Sequence, residues 1–305
     1  MSLITIILPA KYAILLAVSG CFFATAVNAT PAPTVVWLKP LESDQVMKGN
    51  TIVQGDALNL LTFVASHIAG VEHKFEAYPI RRSWRLIQQQ QEAHVAYCFW
   101  GANYKKERED WGYFSEPTTV ELPYLVAAKQ GSLDAFAVDG QVSVRQLLKN
   151  GYSTVVFEEV SNLLSEIIRQ SGQHEVIKVS GLDKDLSDHT LMMIEKGRIH
   201  FGYVSYRAIA NLAVEQNPQF SLYQVQELSA ENLKDGRILC SKTALGQQMV
   251  AAINTALRTI RHDDNLRNQF KALIFKAEGY PANLEQTFTQ QWDSAYLTKP
   301  ISNTP

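Results

Sequence analysis

The apolar residues of this chain follow two spacings, and the places where one gives way to the other mark out its elements. Thr34 to Leu38 is a short β-rich run. After Gly55-Asp56, the residues Ala57, Leu60, Leu61, Val64 and Ile68 recur three and four apart, which sets them on one side of a helix. His73 to Tyr78 reads as a second strand, and Pro79 suits the first turn of a helix carrying Trp84 and Ile87. The nearly continuous apolar run from His94 to Trp100 reads as a strand covered on both faces. Strand, helix, strand, helix, strand predicts a largely parallel sheet flanked by helices.

The second half repeats the theme. Ser153 to Phe157 is a strand, Ser161 caps a helix with Leu163, Leu164, Ile167 and Ile168 inward, and Glu175 to Val179 is a strand. Asp188 opens a helix through Leu191, Met192 and Ile194 that Gly197 stops, and Ile199 to Ser205 is the next strand. Phe220 to Val225 and Arg237 to Ser241 add two more. A strongly periodic helix then carries Leu245, Met249, Ile253, Ala256, Leu257 and Ile260. A helix from Asp264 to Lys276 is expected to close the ordered core, leaving Thr298 to Pro305 as a loose tail. No Pro/Gly/Ser-rich linker separates the two α/β units. The strand-like run Glu121 to Ala128 instead predicts a chain that passes directly between them.

The first residues read differently. Lys11 precedes an apolar run from Tyr12 to Val27, and Val27-Asn28-Ala29 offers the residues a signal peptidase accepts. Residues 1–29 are therefore expected to be a cleaved signal peptide and the mature protein to be periplasmic. A membrane anchor fits less well, because Ser19, Gly20 and Thr25 interrupt the run. The alternative is a lipoprotein acylated at Cys21 in Val18-Ser19-Gly20-Cys21, against which Phe22 and Phe23 argue, since a polar tether usually follows.

Composition narrows the function. With 46% hydrophobic and 19% charged residues and a net charge of -2, the chain has material for packed cores and no basic block to follow a phosphate backbone, so nucleic acid is not an expected partner. Export leaves Cys98 and Cys240 in a compartment that permits disulfides, although two buried free thiols are slightly favoured over a bridge. No Cys/His spacing suits zinc, and no cofactor is expected. Asp183 to Asp188 begins like a calcium loop but lacks the turn glycine and has Ile194 where a bidentate acid is needed, so helix capping by Asp188 or Ser187 explains it better. GxSxG, P-loop, GxGxxG and HExxH motifs are all missing from the sequence, which speaks against an enzyme.

Three stretches carry a family resemblance. The run Trp100-Gly101-Ala102-Asn103-Tyr104-Lys105-Lys106-Glu107-Arg108, followed by Phe114-Ser115-Glu116-Pro117, resembles the family 3 solute-binding proteins, which include the polar amino-acid receptors of ABC transporters. Glu195-Lys196-Gly197-Arg198-Ile199-His200 is similar to that family's entry into the inner sheet of its second lobe, and Gly246 to Leu257 to the helix after its return crossing. Arg82 matches an arginine of the transporter-orphan branch. The resemblance implies an α/β, two-lobed, periplasmic-binding-protein-like (type II) fold. Each lobe would be a mixed, mostly parallel sheet flanked by helices, with two interlobe crossings near Leu122 and Asp235. Lobe 1 would comprise 30–122 and 236–297, lobe 2 would be 123–235, and 298–305 the tail. The family's strand order makes Cys98 and Cys240 neighbours, so a bridge becomes geometrically possible.

The resemblance also implies a site. Arg108 stands where the family's carboxylate-binding arginine stands, and Asn103 where a ligand-contacting threonine does; a guanidinium on a rigid element is well suited to a small carboxylate. Trp100 and Trp37, at strand ends, would stack on a ligand or else pack in the core. In lobe 2 the helix N-terminus at Ser161 and Asn162 would hold an anion, although the family's Ser/Gly-Thr-Gly-Ser turn is Glu158-Glu159-Val160-Ser161 here. The family's ammonium-pairing Asp aligns with neutral Ser205, which argues against an ordinary α-amino acid. Tyr203, Ser205, Tyr206 and Arg207 would present hydroxyls, a ring and a cation instead. Arg82 would pair with Glu107 and fix the Arg108 loop, the favoured role, or else reach the cleft. The expected protein is a monomeric binding protein for a small anionic solute, read by a membrane permease or a sensor. Two alternatives remain: a cyclohexadienyl dehydratase-like lyase using Glu158 or Glu159, and a sensory or scaffolding protein without a ligand.

Overall fold

The computed structural model describes residues 32–41, 45–158, 163–172, 175–180, 186–211, 219–228 and 235–297. The expected signal peptide with Cys21, the site residues Ser161 and Asn162 with Glu159, most of the 183–188 run and the 298–305 tail lie outside them.

The first lobe is built on a seven-stranded sheet of order β2-β3-β4-β1-β5-β13-β6. Its central strands are β1 (Thr34–Lys39), β4 (Glu72–Ala77) and β5 (Val95–Asn103), linked by helices α1 (Asp56–Ala65) and α2 (Ile80–Gln88). The expected parallel arrangement holds here, with Trp37 opposite Phe75 on one side and Cys98 on the other. The remaining pairings of this sheet are antiparallel. They involve the hairpin β2 (Val46–Lys48) and β3 (Thr51–Gln54), which the sequence reading missed, together with β6 (Gly112–Val120) and β13 (Asp235–Ser241).

Both faces of the sheet are covered, which is why β1 is buried along its whole length. Val35, Trp37, Cys98, Trp100, Ile238 and Cys240 face α1, α7 (Ala244–His262), α8 (Asp264–Ala277) and α9 (Glu285–Tyr296). Val36, Leu38, Phe99 and Leu239 face α2. Every predicted inward residue of α7 is buried. Thr243 caps this helix by accepting from the Gly246 amide, and Asp263 caps α8 by accepting from two amides. The core does not end with α8, as expected from the sequence. α9 contributes Phe288 and Trp292, both sealed from solvent.

The second lobe holds β7 (Leu125–Lys129), β8 (Gln141–Val142), β11 (Phe201–Val204) and β12 (Phe220–Val225) in the order β11-β7-β12-β8, beside the parallel pair β9 (Thr154–Phe157) and β10 (Val176–Val179). Helices α3 (Val144–Lys149), α4 (Leu163–Gln170) and α5 (Leu186–Glu195) complete one separate core. α5 starts two residues before the predicted Asp188, which therefore sits in its first turn. Ser187 lies within the helix, and its hydroxyl accepts from the Ser205 amide.

The chain passes twice between the lobes. The predicted strand 121–128 is divided: 121–124 is the crossing and β7 begins after it. The return enters β13, which inserts between β5 and β6 and pairs antiparallel with both. Asp235 lies opposite Val120, so the chain leaves the first sheet and re-enters it at neighbouring positions. Insertion of β13 also sets Cys240 opposite Cys98, and the two form a disulfide with Cα atoms 4.0 Å apart. The expectation of free thiols is thereby corrected. Cysteines placed directly opposite on antiparallel strands have their Cβ atoms close enough to bridge, which sequence separation alone does not reveal.

Candidate functional site

The carboxyl ends of β1, β4 and β5 and the start of β13 all lie at the end of the first sheet from which the chain crosses. Open α/β sheets present ligands with residues at such strand ends. Asn103 is the last residue of β5, opposite Gly236. Two residues earlier, Gly101 has φ +80° and is skipped in the pairing, since Ala102 and Trp100 lie opposite Arg237 and Ile238. This is a β-bulge that needs a residue tolerant of left-handed backbone, and it accounts for the glycine in the Trp100-Gly101-Ala102 run.

Arg108 ends a short 3-10 turn, Lys106–Arg108. Its guanidinium lies 4.5 Å above the Trp84 ring and donates to the Asn103 carbonyl at 2.8 Å. Trp84 is itself packed on Phe99, with ring centroids 4.4 Å apart, so a rigid aromatic base carries the cation. Burial pulls the Arg108 pKa below its usual value, while the charge of Glu107 works the other way. The group nevertheless keeps a half-exposed position. Arg82 does not pair with Glu107. It lies 4.4 Å over the Tyr78 ring, an arrangement set by its place one turn into α2.

Trp37 and Trp100 are core side chains, 0% and 1% exposed, and the structure places neither of them against solvent. The Trp37 indole donates to His73 Nδ1 at 3.0 Å, while His73 Nε2 faces the Ile68 carbonyl at 3.1 Å. That pair of partners fixes His73 with its proton on Nε2. Trp100 meets Phe270 edge-on. The reason is alternation: both indoles project to the face covered by α1, α7, α8 and α9.

In the second lobe, Ser205 is an N-cap. Its hydroxyl accepts from the Ala208 amide at the start of α6 (Tyr206–Asn211), a helix the sequence reading overlooked, and lies 3.3 Å from the Ser187 hydroxyl. Tyr206 stacks edge-on against Tyr280 at 5.5 Å, and Arg207 is buried against Gly279. Tyr203 is also buried, between Tyr124 and Phe157. The structure thus gathers Arg108 and Asn103 at one end of the first sheet, and turns Tyr206 and Arg207 toward the turn that follows α8. Glu158 is exposed on the turn after β9. Among the described residues no group of three His, Cys, Asp or Glu could hold a metal, and no helix is long and apolar enough to cross a membrane.

Two residues at this site escaped the sequence reading. Arg237 lies 5.5 Å from the Tyr104 ring and donates to the Ser115 carbonyl at 3.1 Å. A lone cation opening the apolar run Ile238-Leu239-Cys240 was the available signal. Tyr280 accepts from the Leu122 amide at 2.9 Å, on the first crossing. Nothing in its local sequence distinguishes it from a core tyrosine.

No family model and no curated protein matches the chain. Solved structures do. One, from a study of glutathione import via GshT and the cystine ABC importer TcyBC of Streptococcus mutans, is 13% identical with TM-score 0.58, over 81% of this chain and 95% of that one. An ancestral arginine-binding protein bound to glutamine is 16% identical with TM-score 0.57, over 81% and 98%. The VFT2 domain of Bordetella pertussis BvgS is 14% identical with TM-score 0.54, over 80% and 93%. The chain therefore has the two-lobed fold of the periplasmic binding proteins. Its similarity to these chains is one of architecture.

Proposed function

We propose that this protein is an exported solute-binding protein that captures a small anionic molecule between its lobes, for a permease or a sensor. The observation that carries the reading is Arg108, a guanidinium fixed on Trp84 at the carboxyl end of β5 with one hydrogen bond to a backbone carbonyl and no ion pair to a carboxylate among the described residues. A fixed guanidinium that spends its charge on no chain carboxylate retains donors for a ligand's. The fold supports the same reading, since amino-acid substrate-binding proteins share it. Ser205 refines it: a neutral hydroxyl, which accepts from the Ala208 amide at the start of α6, stands at the position that aligns with the family's ammonium-pairing Asp. The ligand is an anion without the α-ammonium of an ordinary amino acid.

A thermal-shift screen across carboxylates, amino acids and short peptides tests the proposal. At a ligand concentration of about 100 times Kd, a one-site ligand adds about 2.7 kcal/mol of stability. At least one anion is expected to raise the melting temperature of the wild type, and Arg108→Ala to abolish that rise. A panel in which no anion stabilises the wild type refutes the reading.

A further inference from the structure

We infer that Arg237 is a second ligand-binding cation of this site, and that the solute carries two anionic groups, as a dicarboxylate does. The inference rests on the solute-binding reading above and deepens it.

Three observations converge. The first is position. Arg108 donates to the carbonyl of Asn103, and Arg237 lies over the ring of the next residue, Tyr104. In the sheet, Gly236 and Arg237 face Asn103 and Ala102. The two guanidiniums therefore flank one two-residue stretch at the end of β5, one arriving from the loop after β5 and the other from the strand that returns from the second lobe.

The second is charge. Three other part-buried cations of the first lobe meet a carboxylate: Arg261 meets Glu116 at 2.9 Å, Arg267 meets Asp264 at 2.6 Å and Lys271 meets Asp293 at 3.0 Å. Arg108 and Arg237 have none within ion-pair distance among the described residues. Each has only a backbone carbonyl and an aromatic ring, and the buried Nε of Arg237 has no partner. Glu107 and Glu109 are nearby but exposed, and Glu109 accepts from the Tyr104 hydroxyl at 2.8 Å. A dianion with one charged group for each guanidinium would supply both with the carboxylate that the chain does not.

The third is backbone. The ladder is irregular on both sides of Arg237, with Gly101 extra in β5 and register shifts against β6 on either side of the same residue. Side chains fill the gaps: the Ser115 hydroxyl accepts from the Ile238 amide, and the Thr118 hydroxyl donates to the Gly236 carbonyl. Bulges re-aim a side chain, and these two surround one arginine at the return crossing.

The test is calorimetry on the intact protein at fixed pH and ionic strength, with acetate and propionate as monocarboxylates and succinate and glutarate as dicarboxylates. In the wild type the dicarboxylates are expected to bind at least about 10-fold more tightly. Arg237→Gln should lose about 10- to 100-fold for the dicarboxylates and leave the monocarboxylates within about 2-fold, while Arg237→Lys keeps part of the preference. The ligand-free melting temperature of each variant separates a merely structural role, which would move that temperature and not the preference. Equal binding of both classes by the wild type, or a preference that survives Arg237→Gln, overturns the inference and leaves the Arg108 reading standing. Failure of every anion to bind overturns both.

Discussion

Tyrosine hydroxyls report how tightly individual side chains are sealed here. Burial pushes Tyr203 and Tyr280 well above the ordinary value of 10.0, and burial with a hydrogen bond to Glu76 pushes Tyr78 up to about 12. In the unfolded chain these groups lose their protons near pH 10, while the folded protein keeps them. Above that pH the unfolded state binds fewer protons, so stability falls as pH rises; below it the full contribution is present. We predict that part of the tyrosinate absorbance, out of 12 tyrosines, appears only together with loss of near-ultraviolet circular dichroism. Tyr203→Phe should move that alkaline transition to higher pH. A smooth titration of every tyrosine near pH 10 with the fold intact would contradict this. Single residues were unevenly legible in the sequence. Arg108 and Asn103 could be located because a spaced motif surrounds them. Trp37 and Trp100 are open to either a ligand or a core role in the sequence, because much of the cover on the sheet face they occupy comes from α7, α8 and α9, more than 140 residues further along the chain. Ser205 enters the candidate site through the family alignment alone; its capping of α6 is not legible, because the sequence pattern does not announce that short helix.

At the scale of elements, long periodic segments such as α7 and runs such as β5 were legible, because burial on one stripe or on both faces leaves a strong pattern. The β2–β3 hairpin, α3, α6 and α9 were not. They are short, half-exposed or, in α9, inward at only Phe288 and Trp292. Strand order is the other element-scale property that local sequence conceals, and the disulfide depends on it. Cys98 and Cys240 are 142 residues apart in sequence and both fully buried. Chain entropy for a loop of that length corresponds to about 5 kcal/mol, an upper value because unfolded-state structure and native strain reduce it. Cys98→Ala with Cys240→Ala should lower the urea midpoint by an amount equivalent to about 2–5 kcal/mol and remove any effect of reductant. Intact-mass measurement finding two free thiols in the oxidised wild type, or an unchanged midpoint in the double variant, would refute the claim.

At the scale of the whole molecule, the turn after α8 touches both the second lobe and the first crossing. Gly279 has φ +66°, and a Cβ there would stand 2.5 Å from the Arg207 Cα, a backbone atom at the start of α6. Tyr280 beside it touches Tyr206 of the second lobe and accepts from Leu122 of the crossing. No flexible side chain can yield at Gly279, so Gly279→Ala has to push α6 and the turn apart. We expect about 1–3 kcal/mol of destabilisation and a radius of gyration measurably changed in small-angle scattering, with no ligand contact touched. Unaltered scattering together with an unaltered melting temperature would count against this contact as a determinant of lobe angle.

The place of β13 also governs how the chain must come together during synthesis. β5 and β6 leave the ribosome early, each with one long hydrogen-bonding edge that can be satisfied only by a segment made more than 100 residues later. Until that segment arrives, the nascent first lobe is a sheet split down its middle, open to pairing with another chain. The second lobe, whose sheets use none of these strands, can mature in the interval. A mutation that slows the second lobe would then be felt as aggregation of the first.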